Sequence, residues 1–353
     1  MRVLGVNYDT GLVLDGRTTR GAFDRDVVRR ELRIIATDLH ATAVRVSGSD
    51  PDRLVAAGTE ALDAGLEVWF APSPVDLQPD ELVAYLGECA QRAESLRTGG
   101  REVVLVLGCE LSMFCAGFVP GGDWFGRMAT MTDPATWADP GRLAEMQRGL
   151  DRWRRVQERM VAAARSAFGG RITYAAGMWE DVDWHLFDIV AVDAYRDAGN
   201  ADTFRDQLVE RRKWGKPVAV TEFGCCTYQG AAARGGTGWM IVDRSVHPPV
   251  IKGEYGRDED EQVRYLRELL EVFDDVDVDA AFWFSFAGYE LPHRPDDPRY
   301  DLDLAAYGLV AVLDQGQGRT YPGLGWEPKR SFTALADAYG RRTPGAVTVV
   351  GCE

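Results

Sequence analysis

The sequence predicts a (β/α)8 (TIM) barrel in one domain. Eight short apolar runs recur along the chain, amphipathic stretches separate them, and no glycine-rich phosphate loop follows the first run. Apolar runs of this kind suit strands buried on both faces, as a helix-covered parallel sheet requires. A doubly wound open sheet is the alternative, but "NYDTGLVLDG" lacks the G-x-G-x-x-G spacing that usually follows its first strand. No repeat, low-complexity tract or linker divides the chain, so one domain over 1–353 is expected.

The first strand, 2–8, ends on Asn7 and Tyr8, which can line a pocket; a capping role for Asn7 is equally open. A helix over 24–39 follows, with apolar residues at helical spacing. The second strand, 41–47, carries Arg45 between valines. An unpaired guanidinium there is costly, so Arg45 needs a carboxylate, either Glu222 or Asp193. In "SDPDRL", Ser49 or Asp50 caps the next helix, Pro51 takes its first position and Gly65 stops it. The third strand is 66–72 and its helix 80–96.

The fourth strand, 102–108, runs into "GCEL" and so places Glu110 just past its last apolar residue. An insertion from 114 to about 140 carries Trp124 and Trp137, and a helix over 142–168 follows it. Strands five (172–178) and six (188–195) end near Trp179 and Tyr195, with a helix over 201–214 behind them. The seventh strand, 217–223, ends "VTEFG", which puts Glu222 where Glu110 stands on the fourth. A second insertion, 226 to about 258, carries Trp239. The helix over 258–273 opens on an acidic turn that suits its dipole, and the eighth strand, 280–286, holds Trp283. Loops after strands lie on the C-terminal face, where barrels build their sites. Each of these tryptophans and Tyr195 has two readings, a sugar platform or an ordinary packing aromatic.

Composition narrows the function. With 353 residues, 46% of them hydrophobic, a large core can form. A net charge of −15 disfavours nucleic acid and anionic membranes as partners. No apolar run is long enough to span a bilayer, and "MRVLGVNYD" lacks secretory-signal features, so a cytoplasmic location is expected. Lysine occurs only at Lys213, Lys216, Lys252 and Lys329, an arginine bias that hints at a GC-rich bacterial genome.

The cysteines, Cys89, Cys109, Cys115, Cys225, Cys226 and Cys352, match no zinc or redox spacing and read as free thiols. Cys109, Cys115, Cys225 and Cys226 flank the two glutamates, which keeps a metal or redox centre as a rival reading. His185 and His293 have no evident serine or cysteine partner, which argues against a hydrolase triad.

Two carboxylates on one rim can divide acid and nucleophile roles, because each disfavours ionisation of the other. Glycoside hydrolysis needs that arrangement, with separations of about 5–5.5 Å for retention and about 6.5–9.5 Å for inversion. Glutamates ending strands four and seven resemble those of the clan A retaining glycoside hydrolases. "VTEFG" is similar to the nucleophile strand of cellulase-like members. "ITYAAGMWEDVDWHLFDIVAVDAYRD" resembles the "TYSANW…WD…LDYIGIDAY" segment of the β-1,4-mannanase-like families, and "GCEL" their "GTEL". The resemblance implies Glu110 as acid/base and Glu222 as nucleophile. It also implies Arg45, Tyr195 and Trp283 as residues that orient the nucleophile or form the sugar platform. Two positions depart from it: Cys109 stands where many members carry the asparagine that binds the sugar 2-hydroxyl, and Met178-Trp179 stands for an Asn-Trp pair.

The expected function is retaining hydrolysis of a short β-linked oligosaccharide or glycosylated small molecule, with no metal or organic cofactor and no expectation about oligomeric state. Two alternatives remain open. One is a barrel recruited for acid–base chemistry on a non-carbohydrate metabolite, motivated by Cys109 and Met178. The other is a catalytically silent barrel that binds a sugar or protein.

Overall fold

Strands β1 (Val3–Asp9), β2 (Ala43–Gly48), β3 (Glu67–Pro72), β4 (Val103–Cys109), β5 (Arg171–Gly177), β6 (Val190–Asp193), β7 (Val218–Phe223) and β8 (Ala280–Trp283) pair in parallel, each with its sequence neighbours. The sheet closes where β1 meets β8, with Val3 opposite Ala280 and Val6 opposite Trp283. This is a computed structural model, and it describes residues 1–342; Cys352 lies outside the described residues. No helix among the described residues is long and apolar enough to cross a membrane.

Helices α1 (Arg25–Thr37), α2 (Pro51–Asp63), α3 (Pro79–Arg97), α4 (Pro140–Arg165), α5 (Phe204–Arg211), α6 (Glu259–Asp275) and α7 (Arg330–Arg342) surround it. Aspartates start most of them: Asp24, Asp50, Asp139 and Asp258 each accept from backbone N–H groups of the first turn. Asp50 is the cap of α2, with Pro51 behind it, and Gly65 takes the left-handed φ of +86° just past its end. Between β5 and β6 the chain makes only a 3-10 turn, Trp184–Leu186. The sequence reading assigns no helix after strand eight, where the structure has a hairpin and then α7, with Phe332, Leu335 and Tyr339 buried.

Alternation along the strands separates two cores. Ala43, Ala71, Ala175, Ala191, Ala219 and Ala280 face inward with Val104, Val106, Trp69 and Phe282. Trp69 and Phe282 fill the floor of the barrel with ring centroids 4.8 Å apart. They fit because Gly5 presents no Cβ, which would sit 2.2 Å from the Phe282 ring. Above this layer the inward positions turn polar: Asn7, Arg45, Cys109, Asp193 and Glu222. Outward positions pack the helices.

Two β-bulges set that inward list. On β4, Val104 and Val106 face in and Leu107 faces out, yet Cys109 packs against the inner cluster. The extra residue lies between Val106 and Cys109, where Gly108 has φ +88°. On β7, Ala219 faces in while Val220 and Phe223 both face the helices. Both neighbouring strands record one extra β7 residue after Val220, and that shift turns Glu222 inward.

A buried polar knot ties the C-terminal segment to the barrel wall. Glu31 of α1 accepts from Tyr8 (2.5 Å), Arg20 (3.0 Å), Tyr289 (2.8 Å) and Trp326 (2.9 Å).

Candidate active site

Glu222 rises from the β7 bulge and is held on both oxygens. Arg45 Nη1 donates to Oε1 at 2.7 Å, and the Tyr195 hydroxyl donates to Oε2 at 2.9 Å. The same Arg45 nitrogen donates to Asn7 Oδ1 at 2.8 Å, and Asn7 Nδ2 donates to the Thr221 carbonyl at 2.9 Å. Asn7 therefore links the guanidinium to the bulge that aims Glu222. Burial works against the Arg45 charge, but Cys109, Glu222 and Asp193 outweigh it and raise its pKa.

Glu110 sits one residue beyond β4 in a left-handed conformation, φ 47° and ψ 37°, which non-glycine residues rarely adopt. The surroundings enforce it. Its N–H donates to the Ala175 carbonyl at 2.9 Å, and its carbonyl accepts from Met113 (2.9 Å) and Phe114 (3.0 Å). The short helix it opens is clamped by Tyr174 and Glu180. Leu111 N donates to the Tyr174 hydroxyl at 2.6 Å, and Ser112 Oγ donates to Glu180 at 2.5 Å. Glu180 also accepts from Tyr174 (2.8 Å) and Gly177 N (2.9 Å). Burial first, then the charges of Asp193, Glu222 and Glu180, push the Glu110 carboxyl well above its ordinary value.

Asp193, at the end of β6, is 3% exposed. Burial and then the Glu222 charge raise its pKa well above the ordinary carboxylate value. Cys109 Sγ lies 3.3 Å from Asp193 Oδ2 and 3.5 Å from Glu222 Oε1. Burial, then Asp193 and Glu222, push its thiol well up, so Cys109 is an S–H donor here.

The raised pKa of Glu110 has a consequence for stability. The folded state holds the proton more tightly than the unfolded chain, so this stabilisation is complete below about pH 4 and is lost as pH rises through the raised value. Glu110→Gln cannot ionise. It should match the parent in acid and melt higher at neutral to alkaline pH, by roughly 2 °C per kcal/mol relieved. A melting series over pH checks this, and a gain confined to acid contradicts it.

Three loops meet over the mouth. Trp124, from the insertion after β4, has its ring 6.5 Å from Trp239, from the insertion after β7. Its Nε1 donates to Asp15, in the loop after β1, at 3.3 Å. Trp124 also stacks on Phe114 of the Glu110 helix at 5.8 Å. On the other side, Gly236 lies so near Tyr195 that a Cβ would meet that ring at 3.1 Å. Strands 1, 4 and 7 are not neighbours, so one residue touching all three loops has to bridge the rim.

The remaining expected residues fall elsewhere. Tyr8 and Trp283 are fully buried on the outward side of their strands. Tyr8 bonds Glu31, and Trp283 donates to the Tyr307 carbonyl at 3.0 Å. Neither lines the pocket, because side chains alternate along a strand and the inward parity belongs to Asn7 and Phe282. Trp179 is 51% exposed and borders a cavity of about 370 Å³ that it shares with Met178, Asn200, Gln207, Glu210 and Arg211, and neither Glu110 nor Glu222 lines it. Trp137 is 52% exposed on the first insertion.

The four flanking cysteines do not converge. Cys115 faces the Pro74 carbonyl, Cys226 the Ala305 carbonyl, and Cys225 is fully buried; only Cys109 reaches the glutamates. Among the described residues, the one group able to hold an ion is Cys109, Asp193 and Glu222, whose donor atoms lie within 4.8 Å of one another. The sequence reading missed Glu180 and Tyr307. Tyr307 donates to Gly235 O at 2.6 Å and accepts from Gly238 N at 3.1 Å, which fixes the second insertion. The one signal for Glu180 is its place beside Trp179 in the strand-five loop.

No family model and no curated protein sequence matches the chain. Solved structures do. A GH113 β-1,4-mannanase superposes with a TM-score of 0.60 at 16% identity, covering 96% of this chain and 98% of that one. The GH113 β-mannanase of Alicyclobacillus acidocaldarius, in complex with ManMIm, gives 0.59 at 15% identity, covering 97% and 98%. A family 1 β-glucosidase from Thermotoga maritima gives 0.54 at 12% identity, covering 96% and 97%. Over nearly its whole length, the chain has the fold of these glycoside hydrolase barrels.

Proposed function

We propose that this chain is a retaining β-glycoside hydrolase that acts on a short β-linked oligosaccharide or a glycosylated small molecule. The observation that carries the reading is the contrast between its two strand-end carboxylates. Burial and neighbouring negative charge hold the Glu110 pKa well above its ordinary value, while Glu222 is fixed on one oxygen by a guanidinium and on the other by a phenol. A proton donor and an oriented nucleophile are the two groups that double displacement requires.

In the first step a Glu222 oxygen attacks the anomeric carbon as Glu110 passes its proton to the departing glycosidic oxygen, leaving a glycosyl ester on Glu222. In the second step the Glu110 carboxylate takes a proton from water, whose oxygen attacks the same carbon and releases Glu222. The product is the sugar hemiacetal with its configuration retained. Asn7, Arg45 and Tyr195 hold the nucleophile, and Glu180 and Tyr174 hold the acid loop. The contact among Trp124, Trp239 and Asp15 narrows the mouth, which favours short substrates over polymer.

Activated 2-deoxy-2-fluoro β-mannosides and β-glucosides test the reading. The expected result is a stable adduct of one sugar on the peptide containing Glu222. An adduct on another residue, or an inverted product seen by NMR, overturns it. A second reading, acid–base chemistry on a non-carbohydrate metabolite, draws on Cys109, which sets a thiol beside Glu222. Failure of every glycoside in the panel to react or bind favours that reading.

A further inference from the structure

We propose that Cys109, Asp193 and Glu222 form a binding site for a thiophilic divalent cation of the zinc class. The inference is independent of the hydrolase reading. It starts from the distances. Zinc–sulfur and zinc–oxygen bonds of about 2.3 and 2.0 Å at a tetrahedral angle place sulfur and oxygen about 3.5 Å apart. Cys109 Sγ stands 3.3 Å from Asp193 Oδ2 and 3.5 Å from Glu222 Oε1. All three donors lie within 4.8 Å of one another.

A second observation points to the same ligand. Asp193 is 3% exposed, its Oδ2 faces the sulfur, and its Oδ1 and the hydroxyl of neighbouring Thr221 are both buried without a hydrogen bond of normal geometry. A poorly satisfied buried carboxylate is costly, and a cation that takes Oδ2 with Oδ1 as a second, chelating oxygen relieves it. Charge closes as well. A thiolate and two carboxylates carry three negative charges; a divalent ion and the Arg45 guanidinium carry three positive ones. Arg45 stays on the outer side of this set, since its Nη1 already donates to Glu222 Oε1, an oxygen with a second lone pair. Three protein ligands leave a fourth position facing the pocket. Binding displaces the Cys109 proton to solvent, as thiol ligands require.

An ion held here occupies the carboxylate that glycoside hydrolysis uses as nucleophile, so metal binding and turnover exclude each other. The two readings nevertheless fail separately, because the test needs no turnover. The full-length protein, stripped with chelator and kept reduced, is titrated with Co2+ alone. The expected result is saturation at one equivalent, a thiolate-to-cobalt charge-transfer band in the near ultraviolet, and bleaching by Zn2+. Cys109→Ser should remove the band. Asp193→Asn and Glu222→Gln should each weaken binding by more than the roughly 10–100-fold that substitutions outside the ligand shell cost. These two variants decide the matter if Cys109→Ser fails to fold. No band at one equivalent, or a band that survives in Cys109→Ser, overturns the proposal.

Discussion

Glu222→Ala should lower kcat on an aryl β-glycoside by on the order of 10⁴-fold or more, the scale on which loss of a nucleophile is felt. The loss follows from position. Glu222 is the carboxylate that Arg45 and Tyr195 both hold, and no other inward side chain shares that pair of contacts. Glu110→Ala should behave differently. Turnover should fall by roughly 10²–10⁴-fold where the leaving group needs a proton, and far less where it is already activated. Azide separates the roles. With Glu110→Ala it should capture the glycosyl ester and give the β-glycosyl azide; with Glu222→Ala it should attack directly and give the α-azide. Product configuration by NMR reads the outcome. Matching azides from both variants would remove the role assignment, and full activity in either would remove the site.

The second large effect concerns stability. Glu31→Ala should cost about 3–5 kcal/mol, the range for removing one partner of a buried ion pair. Arg20 is 3% exposed, pairs with Glu31 at 3.0 Å, and lies over the Tyr289 ring at 4.0 Å. Without Glu31, that guanidinium stays buried without its ion-pair partner, and the Tyr8, Tyr289 and Trp326 donors lose their acceptor. Tyr289 and Trp326 belong to the segment after β8, so the damage should spread to the contact between that segment and α1. At roughly 2 °C per kcal/mol, the melting temperature should fall by roughly 6–10 °C. Lys213→Ala, which removes an exposed partner of Glu210, is the control and should cost no more than about 1 kcal/mol. Equal losses in the two variants would show that the knot adds nothing beyond a surface pair.

Much of the barrel was legible because its signals are local. Apolar runs and the Asp50 cap with its Pro51 start depend on neighbours within a few residues, and the eight strands fall where those patterns place them. Arg45 was legible for a related reason: a charge between valines on a buried strand implies a partner, and Glu222 is bonded to it. Tyr8 and Trp283 misled because strand-end aromatics suggest a platform, whereas parity sends both toward the helices. The described cysteines are free thiols, as their spacing implies, but nearness in sequence to a glutamate does not carry over into nearness in space. Cys115 and Cys226 turn to backbone carbonyls instead.

By itself the sequence determined the closed parallel barrel and the pair of strands whose ends carry acid. Both follow from which residues prefer burial and from where apolar runs stop. The tertiary structure alone decided which way those acids point. Simple alternation from Ala219 would place Thr221 and Phe223 inside and Glu222 outside; one extra residue, measured against both neighbouring strands, reverses that. The same happens at Gly108, ahead of Cys109 and Glu110. A bulge is a mismatch between strands, so no single strand's sequence records it.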